Sequence, residues 1–276
     1  AVSAARIREV LELESSIHDA PAPKQAAGGG HVEFRNVTFR YPGAEEPALE
    51  NISFEARPGE VTAIIGGTGS GKSPLVNLIP RFYDVEQGSV LIDGVDVREM
   101  SLENLRKKIG FVPQKAVLFS GTIADNLRYG NEDAGEEQLR RAAEVAQALD
   151  FVTEMEGGFD ARVSQGGTNL SGGQKQRLSI ARALVRKPEI YVFDDSFSAL
   201  DYKTDAELRR ALKEEVGKAT VIIVAQRIHT VIDADRIIVL ENGRVAGIGT
   251  HRQLLQDNEV YREIVASQLS EEEMAE

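Results

Sequence analysis

VTAIIGGTGSGKS, residues 61–73, starts as an apolar run and passes into four glycines interspersed with a threonine, two serines and a lysine. Gly66–Ser73 matches G-x-x-x-x-G-K-[ST], and its place between an apolar strand and a helical pattern is the setting that this motif requires. Gly66, Gly67, Thr68, Gly69, Ser70 and Gly71 let the backbone curl, so that successive N–H groups point at phosphate oxygens. Lys72 adds charge, and the Ser73 hydroxyl can ligate Mg²⁺. Pro74 follows, with neither an N–H nor a hydroxyl to offer. It is tolerated near a helix start, but it predicts a weaker grip on an α-phosphate. The helix beyond offers Leu75, Leu78, Ile79 and Phe82 to a core, and Pro80 ends or kinks it.

Working outward, HVEFRNVTFRY (31–41) and LENISFEA (49–56) alternate apolar and polar residues as half-buried strands do. LIDGVDV (91–97) and RIIVLENGRVAGIG (236–249) carry Asp93-Gly94 and Asn242-Gly243, both suited to tight hairpin turns. Residues 121–165 are helix-rich, with EEQLRRAAEVAQALDFV (136–152) as the clearest stretch, and suggest a helical lobe inserted in an α/β domain. Further on come a helix over Gln174–Arg186, a buried strand ending at Asp194, a helix near KTDAELRRALKEEV (203–216) and a strand TVIIVA (220–225). This alternation predicts a mostly parallel sheet covered on both faces. HRQLLQDNEVYREIVASQL (251–269) predicts one last helix before a frayed acidic tail, SEEEMAE. At the other end, SAARIREVLELE (3–14) places Ile7, Val10 and Leu11 on one helical face that needs a partner surface. PAPKQAAGGG (21–30) has the composition of a linker.

The 276 residues carry a net charge of −12. That argues against a nucleic-acid partner, because phosphate-backbone binding usually needs a basic face. The apolar runs fall far short of the ~20 residues that span a bilayer. Cysteine is absent, and the histidines 18, 31, 229 and 251 lack zinc-ligand spacing.

NLSGGQKQR (169–177) supplies a second glycine pair before a helix, with Ser171 as a natural N-cap and Gly172 and Gly173 exposing helix N–H groups. Together with the phosphate loop it makes residues 31–250 resemble the nucleotide-binding domain of ATP-binding cassette (ABC) proteins. The fold implied is a P-loop NTPase: a RecA-like, mostly parallel α/β core, an antiparallel β subdomain and an α-helical subdomain over about 115–180. In that family two domains face each other head to tail, and each ATP lies between the phosphate loop of one and the signature of the other, here Ser171, Gly172, Gly173 and Gln174. Tyr41 in FRYPG resembles the aromatic that stacks on adenine. Gln114 in FVPQ resembles the glutamine that senses metal and lytic water. Asp201 in SALD resembles the loop that crosses to the other subunit.

YVFDDSFSALD (191–201) ends its strand in two carboxylates. Adjacent positions at a strand end project to opposite faces, so Asp194 and Asp195 are expected in different places. By the resemblance, Asp194 joins Ser73 and Gln114 around Mg²⁺, and Asp195 stands where a glutamate normally polarises the attacking water. One methylene less shifts that carboxylate, and about 1 Å of misplacement can cost on the order of 10²-fold in rate. VAQRIHT (224–230) places Gln226 where a switch histidine is usual. Glutamine can still donate to a γ-phosphate, but it carries no charge and shuttles no proton. His229 would need a shifted loop to substitute. Asp195, Gln226 and Pro74 together favour a site that binds ATP and hydrolyses it slowly, beside an intact signature. That asymmetry resembles heterodimeric exporters, in which this signature would complete the partner's site.

FVPQKAVLFSGTIADNL (111–127) is similar to exporters whose nucleotide domain is fused to six membrane helices. The resemblance therefore implies residues 1–20 as a connecting helix from a missing transmembrane domain, 21–30 as a linker, 31–250 as the ATPase and 251–276 as a C-terminal helix with its tail. The implied setting is the cytoplasmic face of the cell membrane, in an integral membrane transporter with a second, different nucleotide-binding domain. An importer subunit, a DNA-repair cassette or a non-catalytic ATP-gated module are the competing expectations. The helix and linker argue against the first, and the lack of sustained heptads argues against the second.

Overall fold

A computed structural model of the chain describes residues 2–275. Helix α1 (Val2–Leu11) is followed by β1 (Val32–Phe39), β2 (Leu49–Ala56) and the phosphate-loop strand β3 (Val61–Gly66), which opens into α2 (Lys72–Asn77). Strands β4 (Gln87–Ile92) and β5 (Val95–Asp96) and helix α3 (Leu102–Lys107) lead to β6 (Ile109–Val112). The helical lobe holds a short strand pair, β7 (Gly121–Thr122) with β8 (Arg162–Val163), and α4 (Ile123–Arg128), α5 (Glu136–Val145) and α6 (Leu149–Glu154). Then come α7 (Gly172–Arg186), β9 (Ile190–Asp194), α8 (Tyr202–Val216), β10 (Thr220–Val224) and α9 (Ile228–Val231). The chain closes with β11 (Arg236–Glu241), β12 (Arg244–Gly249), α10 (His251–Asp257) and α11 (Glu259–Ala275).

The large sheet has the order β12-β11-β3-β10-β9-β6, parallel except for the β11–β12 hairpin. Both of its faces are buried. Ile64, Val192, Ile222 and Ile238 pack with Phe34, Ile52 and Val90 of the antiparallel sheet, order β2-β1-β4-β5. Their alternate neighbours Ile65, Phe193, Ile223 and Val239 pack with Leu178, Ala181 and Leu208 of the helices. Continuous apolar strands are what a sheet covered on both sides demands, since each successive side chain enters a different core. Removing a fully buried isoleucine or phenylalanine from water contributes about 1.5–3 kcal/mol each.

The α/β P-loop architecture, the antiparallel sheet and the helical lobe match the expectation. Four local readings are corrected. Phe82 is 43% exposed and touches Phe111 edge-on at 5.4 Å rather than entering the core. The stretch 136–152 is two helices, broken where Gln147 adopts φ 57°. The C-terminal helix is also two, because Asn258 leaves the helical region, donates to the Ala246 carbonyl at 2.9 Å and caps the Tyr261 N–H at 2.8 Å. Its second half, α11, runs on as helix through the acidic residues expected to fray. Residues 18–24 are also tied to the domain. Arg81 donates to the His18 carbonyl, Asp19 accepts the Leu102 N–H, and Lys24 N–H bonds the Glu99 carbonyl, strapping the segment to the domain. Ile7, Val10 and Leu11 of α1 remain exposed.

Candidate active site

Strands β3, β9 and β10 end side by side, with Val224 opposite both Ile64 and Asp194, so three loops meet at the carboxyl edge of the sheet. Ligands in open α/β folds gather at that edge. The loop after β3 is packed so closely that a Cβ at Gly66 would lie 2.4 Å from the Leu240 carbonyl oxygen. Gly71 adopts φ 105° at the start of α2, a left-handed geometry that strains any side chain. Lys72 is 8% exposed, and its Nζ donates to the carbonyls of Gly66 and Gly67 at 2.7 and 2.8 Å. Burial pushes its ammonium below the usual lysine range, against the opposing pull of Asp195 and Asp194. Pro74 removes no helical bond, because the first one in α2 runs from Leu75 N–H to the Gly71 carbonyl.

A cleft of about 610 Å³ lies over this loop. Tyr41, Thr68, Gly69, Gly71, Lys72, Ser73, Pro74, Gln114, Asp194, Asp195 and Gln226 all line it, so most of the sequence-derived site converges. Tyr41 stands at its rim, held edge-on by Phe39 at 4.9 Å and Tyr83 at 5.3 Å. The volume is in the range that small-molecule and cofactor sites occupy.

The two aspartates share this cleft, which corrects the expectation that they point to opposite faces. Asp194 ends β9 in extended form, whereas Asp195 has φ 50°, so the alternation rule stops applying one residue early. Their partners differ. The Ser73 hydroxyl donates to Asp194 Oδ1 at 3.1 Å. Asp195 Oδ2 accepts from Gln114 Nε2 at 3.2 Å and Gln226 Nε2 at 3.4 Å. Burial raises both carboxylates above the usual range, and for Asp195 the neighbouring Asp194 charge adds to it. A cation would relieve that cost. Ser73 and Asp194 form an oxygen donor pair of the kind that holds Mg²⁺ together with phosphate and water. Gln114 has its amide on Asp195 rather than Asp194. His229 lies 3.4 Å from the fully buried Asp205, with its ring against Tyr202, on a different carboxylate from the cleft's.

Several residues that hold the site carry no sequence signal of that role. Asn242 and Gly243, turn residues of the closing hairpin, line the cleft, and Gly243 N–H bonds the Ser70 carbonyl at 3.0 Å. Buried Gln176 donates to the Gln114 carbonyl and accepts the Ala199 N–H, tying two loops together. Arg227 donates to the Phe197 and Leu200 carbonyls. These contacts join residues distant in sequence, so no local pattern announces them.

The remaining sequence-derived residues lie outside the cleft. Ser171 caps α7 by accepting Gln174 N–H at 3.1 Å, and Gln174 Oε1 accepts Ser171 N–H at 3.0 Å, a reciprocal capping box. Gly172 is exposed and Gly173 half-buried. Asp201 caps α8 through Thr204 N–H at 2.9 Å, and hydrogen bonds from Thr204 hold its carboxyl below the usual range.

Residues 49–198 match the family model described as ABC transporter. The chain is 52% identical over 272 residues to an uncharacterized ABC transporter ATP-binding protein of Mycobacterium tuberculosis, covering 97% of this chain and 46% of that protein. It is 41% identical over 262 residues to an ATP-dependent lipid A-core flippase of Haemophilus influenzae, covering 95% and 44%. The solved structure of a bacterial Atm1-family ABC exporter with ATP bound superposes with a TM-score of 0.92 at 37% identity, covering 97% of this chain and 47% of that one. The chain thus spans about half the length of the relatives it matches. With the family match running from the second strand through the loop and both carboxylates, this chain belongs to the ABC transporter family and carries its ATP-binding, ATPase-type domain.

Proposed function

We propose that this chain is the ATP-binding half of an exporter, that it binds Mg·ATP in the cleft under Tyr41, and that its own site turns over slowly. The observation that carries the reading is the convergence of Lys72, Ser73, Asp194, Asp195, Gln114 and Gln226 on one cleft. Loop N–H groups and Lys72 hold the phosphates, and Tyr41 takes the base. Ser73 and Asp194, with Gln114 at the edge of the set, would hold Mg²⁺, whose charge would offset that of the phosphates. Asp195 accepts a hydrogen bond from the attacking water and polarises it. Gln226 donates to the γ-phosphate oxygen. Both do this weakly: the carboxylate is one methylene short, and the amide carries no charge.

Ser171–Gln174 and Asp201 do not line this cleft and are offered to a second nucleotide-binding domain, whose site they complete. An unequal partner fits an intact signature beside an altered carboxylate. In this reading residues 1–20 connect to a transmembrane domain, 21–30 link, 31–250 form the ATPase and 251–276 close it. The unpaired apolar face of α1 and the half-length match to exporter relatives support that arrangement. No described helix is long and apolar enough to cross a membrane. In this reading the membrane part is a separate segment or chain, and this domain works at its cytoplasmic face.

The decisive test installs the missing groups. Asp195→Glu combined with Gln226→His is expected to raise single-turnover ATP hydrolysis by roughly 10- to 100-fold at unchanged nucleotide affinity, following the sensitivity of rate to about 1 Å of placement. An unchanged rate overturns the slow-site reading.

A further inference from the structure

The C-terminal helix reaches the active site through one side chain. Gln268, in the second half of α11, donates from Nε2 to the Gln226 carbonyl at 2.5 Å and accepts the Ile228 N–H on Oε1 at 2.7 Å. One amide thus satisfies a carbonyl and an N–H on the two residues flanking Arg227. Only a side chain with both a donor and an acceptor can do that.

The Ile228 N–H needs this partner. It opens the four-residue helix α9, whose N-cap Arg227 provides no side-chain cap. First-turn N–H groups have no intrahelical acceptor. The cap therefore comes from an element 40 residues away in sequence. The donor arm fixes the carbonyl of the residue whose side chain enters the cleft: Gln226 Nε2 sits 3.4 Å from Asp195 Oδ2. Arg227, between the two gripped residues, is turned the other way and holds the Phe197 and Leu200 carbonyls. The loop is pinned from both sides.

α11 is itself well moored. Tyr261 is fully buried, its hydroxyl 2.7 Å from His251 Nδ1, and Asn258 ties the helix start to the β12 backbone through the Ala246 carbonyl. Val260, Ile264 and Ser267 of the same helix also form one wall of a cavity whose other wall is Gly67–Ser70, behind the phosphate loop.

We propose that Gln268 is a positioning residue for ATP hydrolysis: it holds the 226–228 backbone so that Gln226 presents its amide to the cleft, and makes the C-terminal helix part of the active-site scaffold. This rests on the reading of Gln226 as the group that meets the γ-phosphate.

Three variants of the whole chain test it. Gln268→Met keeps length and loses both bonds. Its Ile228 amide is expected to exchange hydrogen at least about tenfold faster. Single-turnover hydrolysis is expected to slow by about tenfold while Mg·ATP affinity stays within about twofold. Gln268→Glu keeps the acceptor for Ile228 and loses the donor to Gln226. It should retain amide protection and still hydrolyse slowly, a split that a merely structural role would not produce. If Gln268→Met leaves both exchange and turnover within about twofold of the parent, the inference is wrong. It is also wrong if Gln226→Ala slows turnover and neither Gln268 variant does. If Gln268→Met frees the Ile228 amide while neither it nor Gln226→Ala changes turnover, the clamp is real and the reading of Gln226 is what falls.

Discussion

Two glycine-rich stretches, Gly66–Ser73 and Leu170–Gln174, each open a helix, and they end in opposite surroundings. The first is enclosed: Gly66 packs against the Leu240 carbonyl of β11, its lysine is buried on loop carbonyls, and two carboxylates and two glutamines line the cleft over it. The second lies outside that cleft, with Leu170 in the core and Gly173 against the Ala199 carbonyl. Its serine and glutamine cap each other, and the first glycine is open to solvent. The same local grammar thus produces one stretch enclosed in a cleft and one helix cap at the surface. What separates them is the neighbouring strand ends, which the sheet brings to the first and not to the second.

That contrast can be broken most directly at Lys72. Lys72→Ala removes the charged donor of the enclosed site, and Mg·ATP affinity is expected to fall by roughly 10- to 100-fold, the worth of about 1.5–3 kcal/mol for a charged hydrogen bond. Ser171→Ala should leave affinity in the isolated chain within about twofold, since its hydroxyl contributes to folding rather than to this cleft. Equal losses in equilibrium dialysis would show that the two stretches serve one site.

The second effect is on stability. Ser171→Ala is expected to cost about 1 kcal/mol in urea unfolding through the lost α7 cap. A cost near zero would mean that the capping box has no energetic role and that Ser171 is free for a partner.

A smaller effect sharpens the enclosed side. Pro74→Thr restores a hydroxyl and an N–H beside the loop, and titration should show nucleotide bound about two- to tenfold more tightly, the worth of one neutral hydrogen bond. Unchanged affinity means that position 74 does not reach the phosphates.

The smallest effect compares the two helix caps by pH. Hydrogen bonds from Thr204 lower the Asp201 carboxyl below its ordinary range, so the ionised form is favoured in the folded chain. Its contribution is present above the ordinary aspartate value of about 3.9 and is lost as pH falls through the lowered one. Ser171 has no such proton. Acid unfolding of Asp201→Asn should therefore show a shallower pH slope below that value, whereas Ser171→Ala keeps the parent slope.

Much of the site was legible because its signals are short-range. The phosphate loop needs glycines, a lysine and a serine within eight residues, and Lys72 bonds the loop's own carbonyls. Ser171 and its partner Gln174 are likewise three residues apart. The reading failed where a local rule met a non-local demand. Strand alternation assigned Asp194 and Asp195 to opposite faces, yet the left-handed backbone at Asp195 brings both into the cleft. Helical periodicity ran through Gln147 and Asn258, where the chain turns to pack. Gln176, Arg227 and Gln268 carry no such short-range signal, because each acts on backbone groups from another part of the chain.

By itself the sequence determined the family architecture, the phosphate loop and the unusual pair of Asp195 and Gln226, since these depend on residue identity and on spacing within a single turn or strand. The tertiary structure decided which strand ends meet, that the two aspartates share one cleft, and that the last helix grips the switch loop. Those outcomes depend on the order of strands in the sheet and on hydrogen bonds across tens of residues, and packing settles both only when the whole core is assembled.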